Sequence, residues 1–186
     1  MTTVTAPVGA GPTAVLRRLY FVRFGFALVW AVLVFTMASR IGALTATLLV
    51  LYPLFDVAAA VVDARSSRAG ATAGLYVNIA ISTLAAVGVA VALGSGVAGV
   101  LRAWGVWAVV AGLVQLAVAL RRRALGGQWP MILSGSISVL AGVNFVVMAA
   151  SADASLTNVA GYALLGGVFF LVSALRLGRS ARDGRR

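Results

Sequence analysis

The 186-residue chain contains no cysteine, no histidine, no lysine and no glutamate. Each absence removes a kind of chemistry. Without cysteine there is no disulfide and no thiolate nucleophile. Without histidine as well, zinc or haem ligation through His and Cys is excluded, and so is an imidazole base. Without lysine there is no Schiff base. The only side-chain carboxylates are Asp56, Asp63, Asp153 and Asp183. Asp56 and Asp63 fall two turns or ~10 Å apart on a helix, too far for carboxylates that share a proton. The Asp-rich motif of membrane alcohol phosphotransferases is missing, as are nucleotide-binding loops. No catalytic residue, no metal site and no cofactor is expected from this inventory, and the protein reads as one that is not an enzyme.

What is present is apolar. The chain is 62% hydrophobic and 10% charged, with a mean hydropathy of +1.05, far outside the soluble range. A helix needs about 20 apolar residues to cross a hydrocarbon core of ~30 Å. Six segments meet that length: 17–38, 41–63, 73–94, 100–120, 130–150 and 156–176. The sequence therefore predicts an all-α polytopic membrane protein of six transmembrane helices. Residues 1–16 read as a flexible N-terminal tail, 17–176 as the transmembrane domain and 177–186 as a basic C-terminal tail. The first stretch lacks the layout of a signal peptide, because Arg17 and Arg18 come after it and the apolar run that follows is too long.

All fifteen cationic residues are arginines, and their placement carries topology. Twelve fall at alternate ends of the segments: Arg17 and Arg18, then Arg65 and Arg68, then Arg121 to Arg123, then five between Arg176 and Arg186. The other three turns have only Arg40 and Arg102 at their edges. That alternation is the positive-inside pattern with both termini in the cytoplasm. The net charge of +11 thus reads as orientation, with attraction to anionic lipid headgroups of ~1 kcal/mol per well-placed arginine. No basic patch interleaves with aromatics, so no nucleic acid is expected as a partner. The Ala/Val/Gly/Arg bias without lysine fits a GC-rich bacterial genome.

The segments read as three similar hairpins. A shift of 55 lays 105–121 over 160–176, matching Trp107 with Tyr162 and Gly112 with Gly167. A shift of 110 sets Gly25 on Gly135 and Phe35 on Phe145. Such a repeat is parallel, each hairpin entering and leaving on one side. Small residues at Gly135, Ala141, Gly142, Gly161, Gly166 and Gly167 are expected to let helix backbones approach closely. Those Gly/Ala faces also allow a homo-oligomer or a partner in a membrane complex, beside membrane lipids themselves.

Polar groups at depth define the candidate site. Arg23 and Asp56 each lie roughly 9–11 Å below the cytoplasmic edge at ~1.5 Å per residue. Asn78, Gln115 and Ser134 come within about one turn of that level, and the repeat sets Arg23 over Asn78 and Asp56 against Gln115. Charges in hydrocarbon face the bundle interior and take partners. The spacing predicts an Arg23–Asp56 ion pair completed by Asn78, Gln115 and Ser134, either fixing helix register or lining a polar cavity open to the cytoplasm. Pro53 is expected to loosen the second helix one turn before Asp56. Asn144, in the outer half of the fifth segment, is expected to form an interhelical hydrogen bond.

The fifth and sixth segments, WPMILSGSISVLAGVNFVVMAA and AGYALLGGVFFLVSALRL, resemble the HdeD-like acid-resistance membrane proteins. Gly135, Ala141-Gly142, Gly166-Gly167 and Arg176 stand where that pattern has small residues and an arginine-bearing end. The resemblance covers about 100–180, and 17–65 more loosely. It implies a six-helix bacterial inner-membrane protein linked to stress or acid tolerance, and it brings no catalytic residues. Arg23 and the stretch around Asp56 depart from the pattern, and the lack of histidine removes the usual sensor of neutral pH. A small transporter using the polar layer is the other reading, with an accessory subunit of a larger complex beside it.

Overall fold

A computed structural model describes residues 12–38, 40–66, 73–125 and 128–183. They form six α-helices: α1 (Pro12–Thr36), α2 (Ala43–Ser66), α3 (Ala73–Ala92), α4 (Gly96–Arg121), α5 (Trp129–Met148) and α6 (Thr157–Asp183). Short 3-10 turns occupy Leu93–Ser95 and Arg123–Leu125, and there is no strand among the described residues. Helix is what an apolar chain in lipid requires, because every backbone N–H and C=O must find its partner within the segment. The outward faces confirm the solvent. Leu84 is 71% exposed, Val91 75% and Leu140 71%, a distribution that water would not tolerate on this scale.

Among the described residues, five helical segments are long and apolar enough to cross a membrane: Ala14–Thr36, Ala43–Ser66, Ala73–Arg121, Trp129–Met148 and Thr157–Arg179. The third has 49 residues, ~73 Å of helix at 1.5 Å per residue, more than twice the hydrocarbon thickness. It comprises α3 and α4, which pack against each other across the 93–95 turn. Gly96 reverses the chain there with φ +65°, a conformation that favours glycine.

The helices run further than the expected spans at both ends. α1 begins at Pro12 and α6 continues to Asp183, so residues assigned to the two tails are partly helical. Proline at a helix start costs nothing, since its missing N–H would be unpaired anyway. At the far end the Arg17 guanidinium lies against Gly178 of α6, joining the first turns of α1 to the last turns of α6. Expected tail residues 1–11 and 184–186 lie outside the described residues.

Packing follows a ring order. The tightest seams are α4 with α5, α1 with α6 and α2 with α3; α3–α4 and α1–α2 are looser, and α5–α6 barely touch. The three hairpins predicted from sequence are thus joined most firmly to one another rather than within themselves. Glycine explains two of these seams. A Cβ on Gly112 would lie 2.7 Å from the Gly135 carbonyl oxygen, and one on Gly135 would lie 3.0 Å from that of Gly112. Two turns away Gly105 faces Gly142 in the same manner. Gly167 brings α6 onto Ala27 and Phe24 of α1. Gly161, expected to do the same, faces open space, and Gly166 reaches only the Tyr52 hydroxyl at 4.0 Å.

The apolar core fills the half of the bundle nearest the α1–α2 and α5–α6 turns. Trp30, Val34, Val89, Leu101, Phe145 and Leu156 are all essentially inaccessible. Residues 55 apart on the even helices share this place: Leu49, Trp104 and Val159 are each 0% exposed. One further turn along, the same spacing links Tyr52, Trp107 and Tyr162.

Candidate functional site

The site forms where the first three helices meet. On α1, Arg23 sits three residues after Tyr20, and its guanidinium pairs with Oδ1 of Asp56 on α2. The side chains are 14% and 15% exposed respectively. The other carboxylate oxygen takes two donors from α3. Asn78 Nδ2 donates to Oδ2 at 2.9 Å, and Ser82 Oγ donates to it at 2.8 Å. Asn78 and Ser82 are four residues apart and therefore on one face of α3. Arg23 also lies over the Phe170 ring of α6, 4.0 Å from its centroid, a cation–π contact that strengthens away from water. Four helices thus converge on one ion pair.

The arrangement satisfies both charges. Asp56 receives three hydrogen bonds across its two oxygens, and Arg23 rests between a carboxylate and a ring. A single charged partner in hydrocarbon costs ~2.5–3.5 kcal/mol on insertion scales, and removing either partner of a buried pair costs ~3–5 kcal/mol. Toward the membrane centre, Phe26 and Phe55 stack at 3.8 Å with 13° between their planes. Phe26 is one turn beyond Arg23 and Phe55 adjoins Asp56, so the stack lies immediately against the pair.

Beyond the stack runs a column of aromatic rings. Tyr52 contacts Trp30 (4.6 Å), Trp104 (5.3 Å) and Trp107 (6.2 Å) between centroids. Trp30 Nε1 donates to the Leu48 carbonyl at 2.6 Å. Pro53 is buried in α2 and has no N–H to give the Leu49 carbonyl, the neighbour of that acceptor. Helix α2 continues through Pro53 without a break. Tyr162 donates to Ser138 at 2.9 Å, linking α6 to α5. The indole nitrogens of Trp104 and Trp107 are buried with no hydrogen-bond partner among the described residues.

Of the five residues predicted for the site, the structure brings together Arg23, Asp56 and Asn78. Gln115 on α4 and Ser134 on α5 are half-buried and make no side-chain hydrogen bond to the group among the described residues. Gln115 was expected from its depth, and the repeat set against it in support does not reach it. A 55-residue shift carries Asp56 onto Ala111, one turn away from Gln115. Ser82 and Phe170 were not foreseen. Asn144 is exposed on the lipid side of α5 rather than bonded between helices.

Fold and site together define a multi-pass helical membrane protein whose membrane-embedded charges are mutually satisfied. No family model, curated protein or solved structure matches the chain. No group of three or more His, Cys, Asp or Glu stands close enough to hold a metal among the described residues.

Proposed function

We propose that the chain is a non-enzymatic, six-span protein of the bacterial inner membrane, of HdeD-like type, serving envelope or stress tolerance as a structural element. Both termini then face the cytoplasm, α3 and α4 cross separately, and the three hairpins form a parallel repeat. The arginine alternation supports the sidedness, and the length of Ala73–Arg121 supports two crossings. The resemblance of 130–150 and 156–176 to HdeD-like proteins supports the stress role.

The observation that carries the structural reading is the occupancy of Asp56. Its two oxygens take Arg23, Asn78 and Ser82, leaving little capacity for a ligand or a mobile proton. One observation favours transport instead: the Arg23 and Asp56 side chains retain 14% and 15% exposure, so the pair is not sealed from its surroundings. That reading keeps the fold and gives the pair a ligand.

Two experiments test these assignments. The chain has no cysteine, so single cysteines report sidedness without a background. Replacements at Arg40, Ser95 and Ser151 should react with an impermeant maleimide on spheroplasts, and those at Ser66 and Arg122 only after lysis. Any other pattern overturns the six-span arrangement. For the role, a deletion strain challenged with acid and envelope stress is complemented by the double variant Arg23→Met/Asp56→Leu. A folded double variant that restores survival supports a structural pair. One that folds and fails to restore it assigns the pair to a ligand.

A further inference from the structure

Helices α5 and α6 barely touch, and residues of both line a space that protein does not fill. It forms a groove of about 750 Å³ on the lipid side of the bundle. Val32 and Phe35 of α1, Ile137 and Leu140 of α5, and Ala160 and Gly161 of α6 line it. A Cβ on Gly161 would meet nothing within 4 Å. That glycine therefore serves no helix contact within the subunit.

We propose that this groove binds one acyl chain of a phosphatidylethanolamine molecule, with its headgroup at the α1–α2 and α5–α6 turns. Three features fit that occupant. The first is depth. On α6 the lining runs from Thr157 to Leu165, ~12 Å of helix, and a single leaflet of hydrocarbon is ~15 Å. The groove has the reach of one acyl chain from one side.

The second is polarity. Apart from Tyr162, whose hydroxyl is bonded to Ser138, the lining is apolar except toward one end, where Thr36 closes α1 and Thr157 and Asn158 open α6. Asn144 stands one turn before the end of α5 on the same side. These groups lie where the ester and glycerol region of a lipid would lie. The third is charge. Leu156 N–H donates to the Ala38 carbonyl at 3.3 Å, tying the α1–α2 and α5–α6 turns together at the mouth. Arg40 follows on one turn and Asp153 on the other, and both are exposed. One cation and one anion complement the phosphate and the ammonium of a zwitterionic headgroup. Protein interiors leave few voids of this size, and an apolar concavity in a membrane fills with lipid rather than water.

The assignment rests on the multi-pass reading but is indifferent to which side is cytoplasmic. The test is native mass spectrometry of the full chain in detergent, supplied with palmitoyl-oleoyl phosphatidylethanolamine and, separately, phosphatidylglycerol. The wild type should retain one phosphatidylethanolamine. Gly161→Phe, which fills the groove, should weaken retention by about tenfold, the equivalent of ~1.4 kcal/mol. Gly88→Phe adds the same ring on α3, where a Cβ also meets open space, and should leave retention unchanged. Arg40→Gln should reduce it. Unchanged melting of Gly161→Phe keeps a folding defect apart from a binding defect. Equal retention in wild type and Gly161→Phe overturns the proposal, as does a wild-type dimer that Gly161→Phe dissociates. Equal retention of phosphatidylglycerol overturns the headgroup assignment. Cysteine labelling decides the sidedness independently, so neither failure conceals the other.

Discussion

Gly105 and Gly142 lie back to back. A methyl on Gly105 would fall 2.7 Å from the Gly142 carbonyl oxygen, and one on Gly142 would fall 2.5 Å from that of Gly105. Such contacts are with backbone, which cannot swing aside. Gly→Ala in a helix ordinarily gains up to ~1 kcal/mol, whereas overpacking costs ~1–3 kcal/mol; the clash wins here. Gly105→Ala, Gly112→Ala and Gly142→Ala should each lower the melting temperature in detergent. Gly88→Ala, with nothing within 4 Å, should hold or raise it. If all four move together, helix packing is not set by these seams.

The Arg23–Asp56 pair should behave as a unit. Arg23→Met or Asp56→Leu alone strands a charge and should cost ~3–5 kcal/mol. The double variant removes both charges and should recover at least half of that. A double-mutant cycle by reversible unfolding in mixed micelles reads the coupling directly, and additive losses would show that the partners do not depend on each other.

Ser82→Ala removes one of three donors to Asp56 while leaving the helix intact. Hydrogen bonds to a charged group contribute ~1.5–3 kcal/mol, and a loss of that order is expected. Its neighbour Thr83 bonds only the Ile79 carbonyl of its own helix. Thr83→Val should therefore stay within ~0.5 kcal/mol of wild type. Equal effects at 82 and 83 would dissociate Ser82 from the carboxylate.

Trp30→Phe keeps the ring and deletes the N–H that reaches the Leu48 carbonyl. The Leu48 carbonyl keeps its place in the α2 ladder, so the loss is that of one hydrogen bond, ~0.5–1.5 kcal/mol. Trp30→Leu removes the ring as well, with its contacts to Tyr52 and Trp104, and should cost more than Trp30→Phe. Thermal unfolding of the two variants checks this, and a Trp30→Phe protein that melts like wild type would show that the N–H contributes nothing.

The ion pair was legible in the sequence because a charge in hydrocarbon has few options, and Arg23 and Asp56 share one depth. Asn78 followed from the same depth argument. Ser82 did not, since a helical serine can bond its own backbone and so leaves little trace in an apolar run. Ser173 does so with the Phe169 carbonyl at 2.8 Å. The signal available was its four-residue spacing from Asn78. Gln115 came from that depth argument too, but depth does not say which face of α4 a residue takes, and the repeat that supported it slips by one turn among Ala, Val, Leu and Gly. Glycines raise a similar difficulty. Gly161 and Gly167 look alike in sequence, yet one lines an open groove and the other seats α1. Which face a glycine occupies depends on the neighbour's path, and that is decided by tertiary packing.

The spacing of the ion pair also has a consequence in time. Arg23 and Asp56 are 33 residues apart in the chain. At ~5–20 residues per second of synthesis, Arg23 precedes its carboxylate by ~2–7 s. Throughout that interval the first span carries a lone guanidinium that costs ~2.5–3.5 kcal/mol at mid-membrane. It must wait near the headgroups, its long stem reaching for water, until the second span arrives. The nascent α1 is therefore held shallow or kept beside the insertion machinery, and settles to its final depth only once α2 has been made.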